Sequence, residues 1–256
     1  MTSSGAVLEI IINRPTRRNA IDSATAGRLA ELFHSAGSDR AVRAVLLTGS
    51  GRNFCTGADM EGASDQAGKL SPLDYRHVTE NFYMMNRALW EMEKPAVSAV
   101  NGTVAGAGWS LALSVDLVVA ARDARWTHVF SRRGMVPHAG DTYFLPRILP
   151  FHQLNELAML SDTVTSHDLE HLGVINRLVD SDDVMGTARE LANRLAEGPT
   201  SALGLTKRMY RNSLNRDIET VFEEERVATA LISTTSDRLE GVRSLVENRP
   251  PKFSGR

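Results

Sequence analysis

Apolar positions along this chain switch between two spacings. Residues 6–13 (AVLEIIIN) are nearly all apolar and rich in β-branched side chains, which predicts a strand ended by Arg14-Pro15. Asp22 or Ser23 stands where a helix cap belongs, ahead of a helix-period stretch to about Ser35. Residues 42–48 (VRAVLLT) read as a strand covered on both faces, closed by Gly49-Ser50-Gly51. Residues 61–71 (EGASDQAGKLS) are small and polar with no period, which predicts a mobile loop. A helical pattern then runs from Leu73 to about Met92, and Pro95 stops it. Ala96–Val100 predicts a strand, Asn101–Gly108 a Gly-rich turn, Trp109–Ser114 a short apolar helix and Leu117–Ala121 the next strand.

After about Ser161 the pattern turns helical. Residues 168–172, 183–196, 201–214, 218–233 and 237–247 all predict helices, and only 174–179 reads as a strand among them. The expected fold class is therefore α/β, a βα-repeating core followed by a helical C-terminal region.

Composition narrows the function. The chain has 256 residues, 42% of them hydrophobic, enough for a sizeable core. Lys and Arg number 29 against 31 Asp and Glu, a formal charge of −2. This argues against nucleic-acid binding but leaves room for a small basic patch on one phosphorylated ligand. With Cys55 alone, neither an intrachain disulfide nor a multi-cysteine metal site is possible. No basic-then-apolar leader opens the sequence, and the longest apolar run, Leu111–Ala121, is interrupted by Asp116. A cytoplasmic chain with no membrane segment is expected.

Two segments carry the most chemistry. Phe54-Cys55-Thr56-Gly57-Ala58-Asp59-Met60 follows a buried strand, and Asn101-Gly102-Thr103-Val104-Ala105-Gly106-Ala107-Gly108-Trp109 joins a strand to a helix. Small residues there let a ligand approach the main chain, and free N–H groups at a helix start carry positive potential. Together the turns suit two N–H donors aimed at one oxygen, an oxyanion hole. Each alone also fits an ordinary strand-to-helix turn. Neither matches a dinucleotide fingerprint or a phosphate loop.

From about residue 7 to 256 the sequence resembles the enoyl-CoA hydratase/isomerase, or crotonase, superfamily. The resemblance rests on Asn13-Arg14-Pro15 with Asn19-Ala20, FCTGADM, Lys94-Pro95 leading into AVNGTVAGAG, and Leu111-Ala112-Leu113 with Asp116. Gly134-Met135-Val136-Pro137, Leu145-Pro146-Arg147, Glu240-Gly241-Val242-Arg243 and Pro251-Lys252-Phe253 continue it in order. It implies a crotonase-like spiral of ββα units over 1–195 and a C-terminal helical trimerisation region over 196–256. It also implies an acyl-CoA thioester as ligand, a homotrimer or dimer of trimers, and no metal or cofactor beyond the coenzyme A of the substrate. The Ala58 and Ala107 N–H groups would hold the thioester oxygen. Arg17, Arg18, Ala20, Phe54, Thr56, Ala58, Asp59, Met60, Lys252 and Phe253 would bind CoA, and Tyr83, Trp109 and Phe130 would line the acyl pocket.

The acid–base positions depart from the hydratase pattern. Ser110 and Phe130 occupy the places of the two hydratase glutamates, and neither supplies a carboxylate base. His138 occupies the place where family isomerases often carry an Asp, and its ordinary pKa near 6.5 suits proton exchange near neutral pH. Asp141, where a small residue is usual, is expected in the first turn of a helix over 140–148, close enough to orient His138. Asp141 also fits a helix N-terminal acid, and His138 a polar loop residue. Ser110 as a nucleophile lacks a nucleophile elbow and an evident base, and helix packing accounts for it better. His128, His77 and Tyr75 could line an acyl pocket but fit core or surface positions better, and Cys55 fits a packing position. The expected reaction is double-bond isomerisation of an enoyl-CoA, as in the phenylacetate-pathway ring isomerase branch. Hydration, thioester hydrolysis or carbon–carbon cleavage and non-catalytic CoA-ester binding are the alternatives.

Overall fold

The computed structural model describes residues 2–61 and 69–256. The loop expected over 61–71 falls mostly on residues 62–68, outside the described residues. In chain order the strands are β1 (Thr2–Ser4), β2 (Val7–Ile12), β3 (Ala44–Gly49), β4 (Asn53–Cys55), β5 (Ala96–Val100), β6 (Thr103–Ala105), β7 (Leu117–Ala121), β8 (Arg125–Thr127), β9 (Thr163–Thr165) and β10 (Arg177–Val179). The helices are α1 (Ser23–Ser38), α2 (Pro72–Glu91), α3 (Ala107–Leu113), α4 (Asp141–Phe144), α5 (Phe151–Leu160), α6 (Ser166–Glu170), α7 (Val184–Glu197), α8 (Thr200–Ser213), α9 (Ile218–Ser233) and α10 (Ser236–Val246).

The apolar runs become a six-stranded sheet in the order β1-β2-β3-β5-β7-β10, parallel except at β1. Every residue of β3 and β5 is buried, as strands covered on both faces require. α7 lies across β2, β3, β5 and β7, and β4 and α3 pack against the same sheet. After β3, β5 and β7 the chain crosses directly into a second sheet, β4-β6-β8-β9. Each unit thus gives one strand to each sheet before its helix, which is the crotonase-like ββα spiral.

The strands over 96–100 and 117–121 and the helix over 218–233 form as the sequence predicts. Elsewhere local chemistry moves the boundaries. α6 starts two residues earlier than expected because Thr165 and Asp168 close a capping box. The strand expected over 174–179 shrinks to 177–179, and a second strand, β9, pairs antiparallel with β8. The expected 140–148 helix is a four-residue α4 followed by a 3-10 turn, Leu145–Arg147, where Pro146 lacks an N–H. Within the expected 101–108 turn, β6 pairs with β4 and β8, and the helix begins at Ala107 rather than Trp109. That shift makes Ala107 a helix-start donor.

Candidate active site

Two turns meet where β4 and β6 end. Gly57 and Gly106 take φ of +89° and +50°, a region that glycine enters without penalty. A Cβ on Gly57 would stand 2.7 Å from the Ala105 carbonyl oxygen and 3.1 Å from the Ala107 nitrogen, so the turns touch backbone to backbone. Ala58 forms a single parallel bridge with Ile21. The Ile21 N–H donates to Gly57 O and the Asp59 N–H to Ile21 O, both at 2.8 Å. These bonds use the groups flanking Ala58, so the N–H of Ala58 itself faces away from Ile21. Ala107 opens α3, and its N–H has no intrahelical acceptor. Neither N–H donates to an acceptor among the described residues. Two such donors on touching turns can share one oxygen that gains negative charge. Cys55, beneath them, is fully buried, and burial pushes its thiol up to about 12. It is a packing residue.

Behind this pair, α3 carries Trp109 and Ser110 into the core, both fully buried. Aromatic rings lead from there to the β8–α4 connection. Trp109 lies 6.1 Å from His128, His128 4.9 Å from Phe130, and Phe130 5.0 Å from His138, all edge to face. Phe82 of α2 closes on His138 at 6.3 Å. His138 is half-buried, and its Nδ1 has no partner among the described residues. Burial lowers its pKa below 6.5, with the Asp141 charge opposing this to a smaller extent. A neutral imidazole at pH 7 follows, with a lone pair free to accept a proton.

Asp141 does not orient His138 through its side chain, contrary to the sequence-based expectation. Its oxygens lie 3.0 and 3.1 Å from His128 Nε2, and both side chains are almost wholly buried. The turn before α4 directs the Asp141 side chain toward the end of β8, and only its backbone N–H reaches His138, donating to His138 O at 3.2 Å. Sequence reasoning set His128 aside as a core or surface residue. The signal present in the sequence was Asp141 itself, an acid where the resemblance puts a small residue, but nothing in it named His128 as the partner. Ser110 Oγ is buried without a partner, so no neighbouring base activates it among the described residues.

The segment expected to face CoA assembles in part. Arg17 donates to both Asp59 oxygens at 3.3 and 2.7 Å and pairs with Glu61, while Arg14 bridges Asp22 and Asp59. The Arg17 guanidinium holds the Asp59 carboxyl below its usual range. Thr56 donates to Arg18 O, and Arg18 and Met60 are exposed beside it. Phe54 is fully buried and Ala20 nearly so, which leaves only their main chain for a ligand. Lys252 and Phe253 lie elsewhere. Phe253 O accepts from Arg43, immediately before β3, whereas the site lies past the other end of β3 at Gly49. Six strand residues span about 20 Å, so one chain cannot bring these residues to its own Arg17. Tyr83 lines a cleft of about 380 Å³ with Trp90, Tyr143 and the Ala139-Gly140 turn, and neither Trp109 nor Phe130 belongs to that lining.

Among the described residues no group of His, Cys, Asp and Glu could hold a metal ion, and no helix is long and apolar enough to cross a membrane. The enoyl-CoA hydratase/isomerase family model matches residues 2–256. The 1,2-epoxyphenylacetyl-CoA isomerase of Escherichia coli K12 is 35% identical over 98% of this chain and 95% of its own. The carnitinyl-CoA dehydratase of Proteus mirabilis is 31% identical over 100% and 98%. The solved enoyl-CoA hydratase from Bacillus anthracis superposes with a TM-score of 0.92 at 26% identity, covering 100% of this chain and 98% of that one. With the fold, the paired turns and full-length matches in agreement, this chain belongs to the enoyl-CoA hydratase/isomerase family of the crotonase superfamily.

Proposed function

We propose that this chain isomerises the double bond of an enoyl-CoA, with His138 as its single base. The observation that carries the reading is two unengaged N–H groups on touching turns, linked by a series of aromatic rings to a half-buried imidazole whose pKa burial lowers. Ala58 and Ala107 bind the thioester oxygen. His138 takes a proton from C2 of a 3-enoyl thioester, and the C–H electron pair moves into the extended enolate, whose oxygen the two N–H groups hold. The imidazolium returns a proton at C4, leaving the 2-enoyl ester and a neutral His138. The step balances with no oxidant or reductant. Ser110 and Phe130, at the two hydratase glutamate positions, offer no second carboxylate, which favours one-base chemistry over hydration.

In this reading Arg17, Arg18, Thr56, Asp59 and Met60 flank the CoA, and Trp109 and Phe130 wall the acyl end. Lys252 and Phe253 reach a CoA only from a neighbouring copy, which fits a cytoplasmic homotrimer or dimer of trimers. Deuterium uptake at the α-carbon of butyryl-CoA in D2O isolates the enolate step, and absorbance of the conjugated thioester reports the reaction. A rise from 3-enoyl-CoA is expected. A fall from 2-enoyl-CoA would mean hydration, and binding without exchange would mean a non-catalytic binder. His138→Ala is expected to slow exchange about 10²–10⁴-fold while the CoA ester still binds; exchange at the parent rate would remove His138 as the base.

A further inference from the structure

The turn carrying His138 is wound against its own preference. Ala139 and Gly140 take φ of +60° and +85° in succession, and Ala139 is fully buried. A residue with a Cβ is disfavoured there, and alanine has no polar side chain to bond the turn locally. Such a conformation persists only when its surroundings hold it. Two buried contacts from other elements do so. Asn86, in the middle of α2 and 1% exposed, donates Nδ2 to Ala139 O at 2.7 Å. On the other side, the Asp141 carboxylate accepts from His128 Nε2, and the Asp141 N–H donates to His138 O. We propose that Asn86 and the His128–Asp141 pair form a two-sided clamp that winds this turn and fixes the His138 imidazole toward the substrate, which makes them positioning residues.

The proposal rests on His138 as the base. Its independent support is that helix stability does not account for Asn86. That residue interrupts the buried stripe of Phe82, Met85 and Leu89, where an apolar side chain would pack, and its Oδ1 has no partner among the described residues. An unpaired buried oxygen is unfavourable. The His128–Asp141 pair is similarly desolvated, with His128 Nδ1 unpartnered. Both devices leave a buried polar atom unpaired, and they meet at one strained turn.

The test follows deuterium exchange into butyryl-CoA for Asn86→Leu, Asp141→Asn, His138→Ala and the double variant Asn86→Leu with Ala139→Gly. Asn86→Leu keeps side-chain size and loses the donor, and circular dichroism reports folding. Asn86→Leu and Asp141→Asn are each expected to lower the saturated exchange rate about tenfold or more, with half-saturation changed less than about threefold. Glycine at 139 enters the left-handed region unaided, so the double variant is expected to recover most of the rate. Lost packing at position 86 would not be repaired that way. Folded Asn86→Leu exchanging at the parent rate, or no recovery in the double variant, overturns the clamp alone. Should Asn86→Leu not fold, parent-rate exchange in Asp141→Asn overturns it. Parent-rate exchange in His138→Ala overturns the base assignment and the clamp with it.

Discussion

At the scale of the residue, His138 differs from the aspartate that its position suggests, because burial acts on it with the opposite sign. Desolvation raises a carboxyl pKa and lowers that of an imidazole. For a base that must be unprotonated, burial therefore widens the working range of histidine toward acid. Phe82, Phe130 and Ala139 around it are apolar, and the titratable groups nearby are Asp141, whose charge opposes the shift, and, behind Phe130, His128. The acid limb of the exchange rate against pH is expected below 6.5, the ordinary histidine value. A limb above it would mean that Asp141 dominates over burial. The same shift has a stability sign. Between the folded and unfolded pKa values the unfolded chain binds more protons, so His138 weakens the fold as pH falls through 6.5. The position of His138, and the turns bearing Ala58 and Ala107, were legible because each is set by a short local motif. The partner of Asp141 was not. Its carboxylate is directed by a left-handed turn at Ala139, and nothing in the residue type of alanine announces that conformation. Asn86 was silent for a related reason: an asparagine inside a helical pattern gives no sign of which carbonyl it reaches.

At the scale of the element, the long apolar runs predicted β3, β5 and β7 closely, because strands buried on both faces leave the composition little freedom. The three-residue strands of the second sheet, β4, β6, β8 and β9, carried too few residues to show a period. They exist through pairing with one another, which only the tertiary fold supplies. How α8 is fastened also lay outside local pattern. Asp116, just before β7, accepts the Ala96 N–H at 2.8 Å, Lys207 Nζ at 2.9 Å and Arg211 Nη2 at 2.7 Å. Arg211 also lies over the Trp90 ring, and Lys207 donates to Lys94 O. Burial lowers Lys207 to about 8, with Asp116 opposing, so the amine still carries its charge at pH 7. Removing one member of such a pair strands the buried partner's charge. Asp116→Ala is expected to cost about 3 kcal/mol in denaturant unfolding at pH 7, with α8 losing hydrogen-exchange protection first. A loss below about 1 kcal/mol would mean that the two cations reach water once Asp116 is gone.

At the scale of the whole molecule, the two ends of the chain are built to different rules. The C-terminal helices expose a run of apolar side chains: Tyr210, Leu214, Ile218, Phe222, Leu231, Leu239, Leu245 and Val246 are all at least half uncovered. Exposed apolar side chains in this number suit the contact between copies that the proposed trimer requires. The tail beside it is pinned. Asp237 accepts from the Ser254 and Gly255 N–H groups at 2.6 and 2.8 Å, Arg43 holds Phe253 O, and Glu240 pairs with Arg249. In the proposed function, a tail fixed at the far end of β3 from its own candidate site would serve CoA binding only by meeting a second copy. The proposal therefore ties ligand binding to assembly. Sedimentation is expected to give a particle about three times 28.0 kDa, or twice that trimer. Replacing Phe222 and Leu231 with Asp is expected to yield monomers that keep their helical content and bind CoA esters at least about tenfold more weakly, since the neighbour's Lys252 and Phe253 would be missing. Monomers that bind as tightly as the parent would show that each chain completes its own CoA site, and the role of the tail would then be structural.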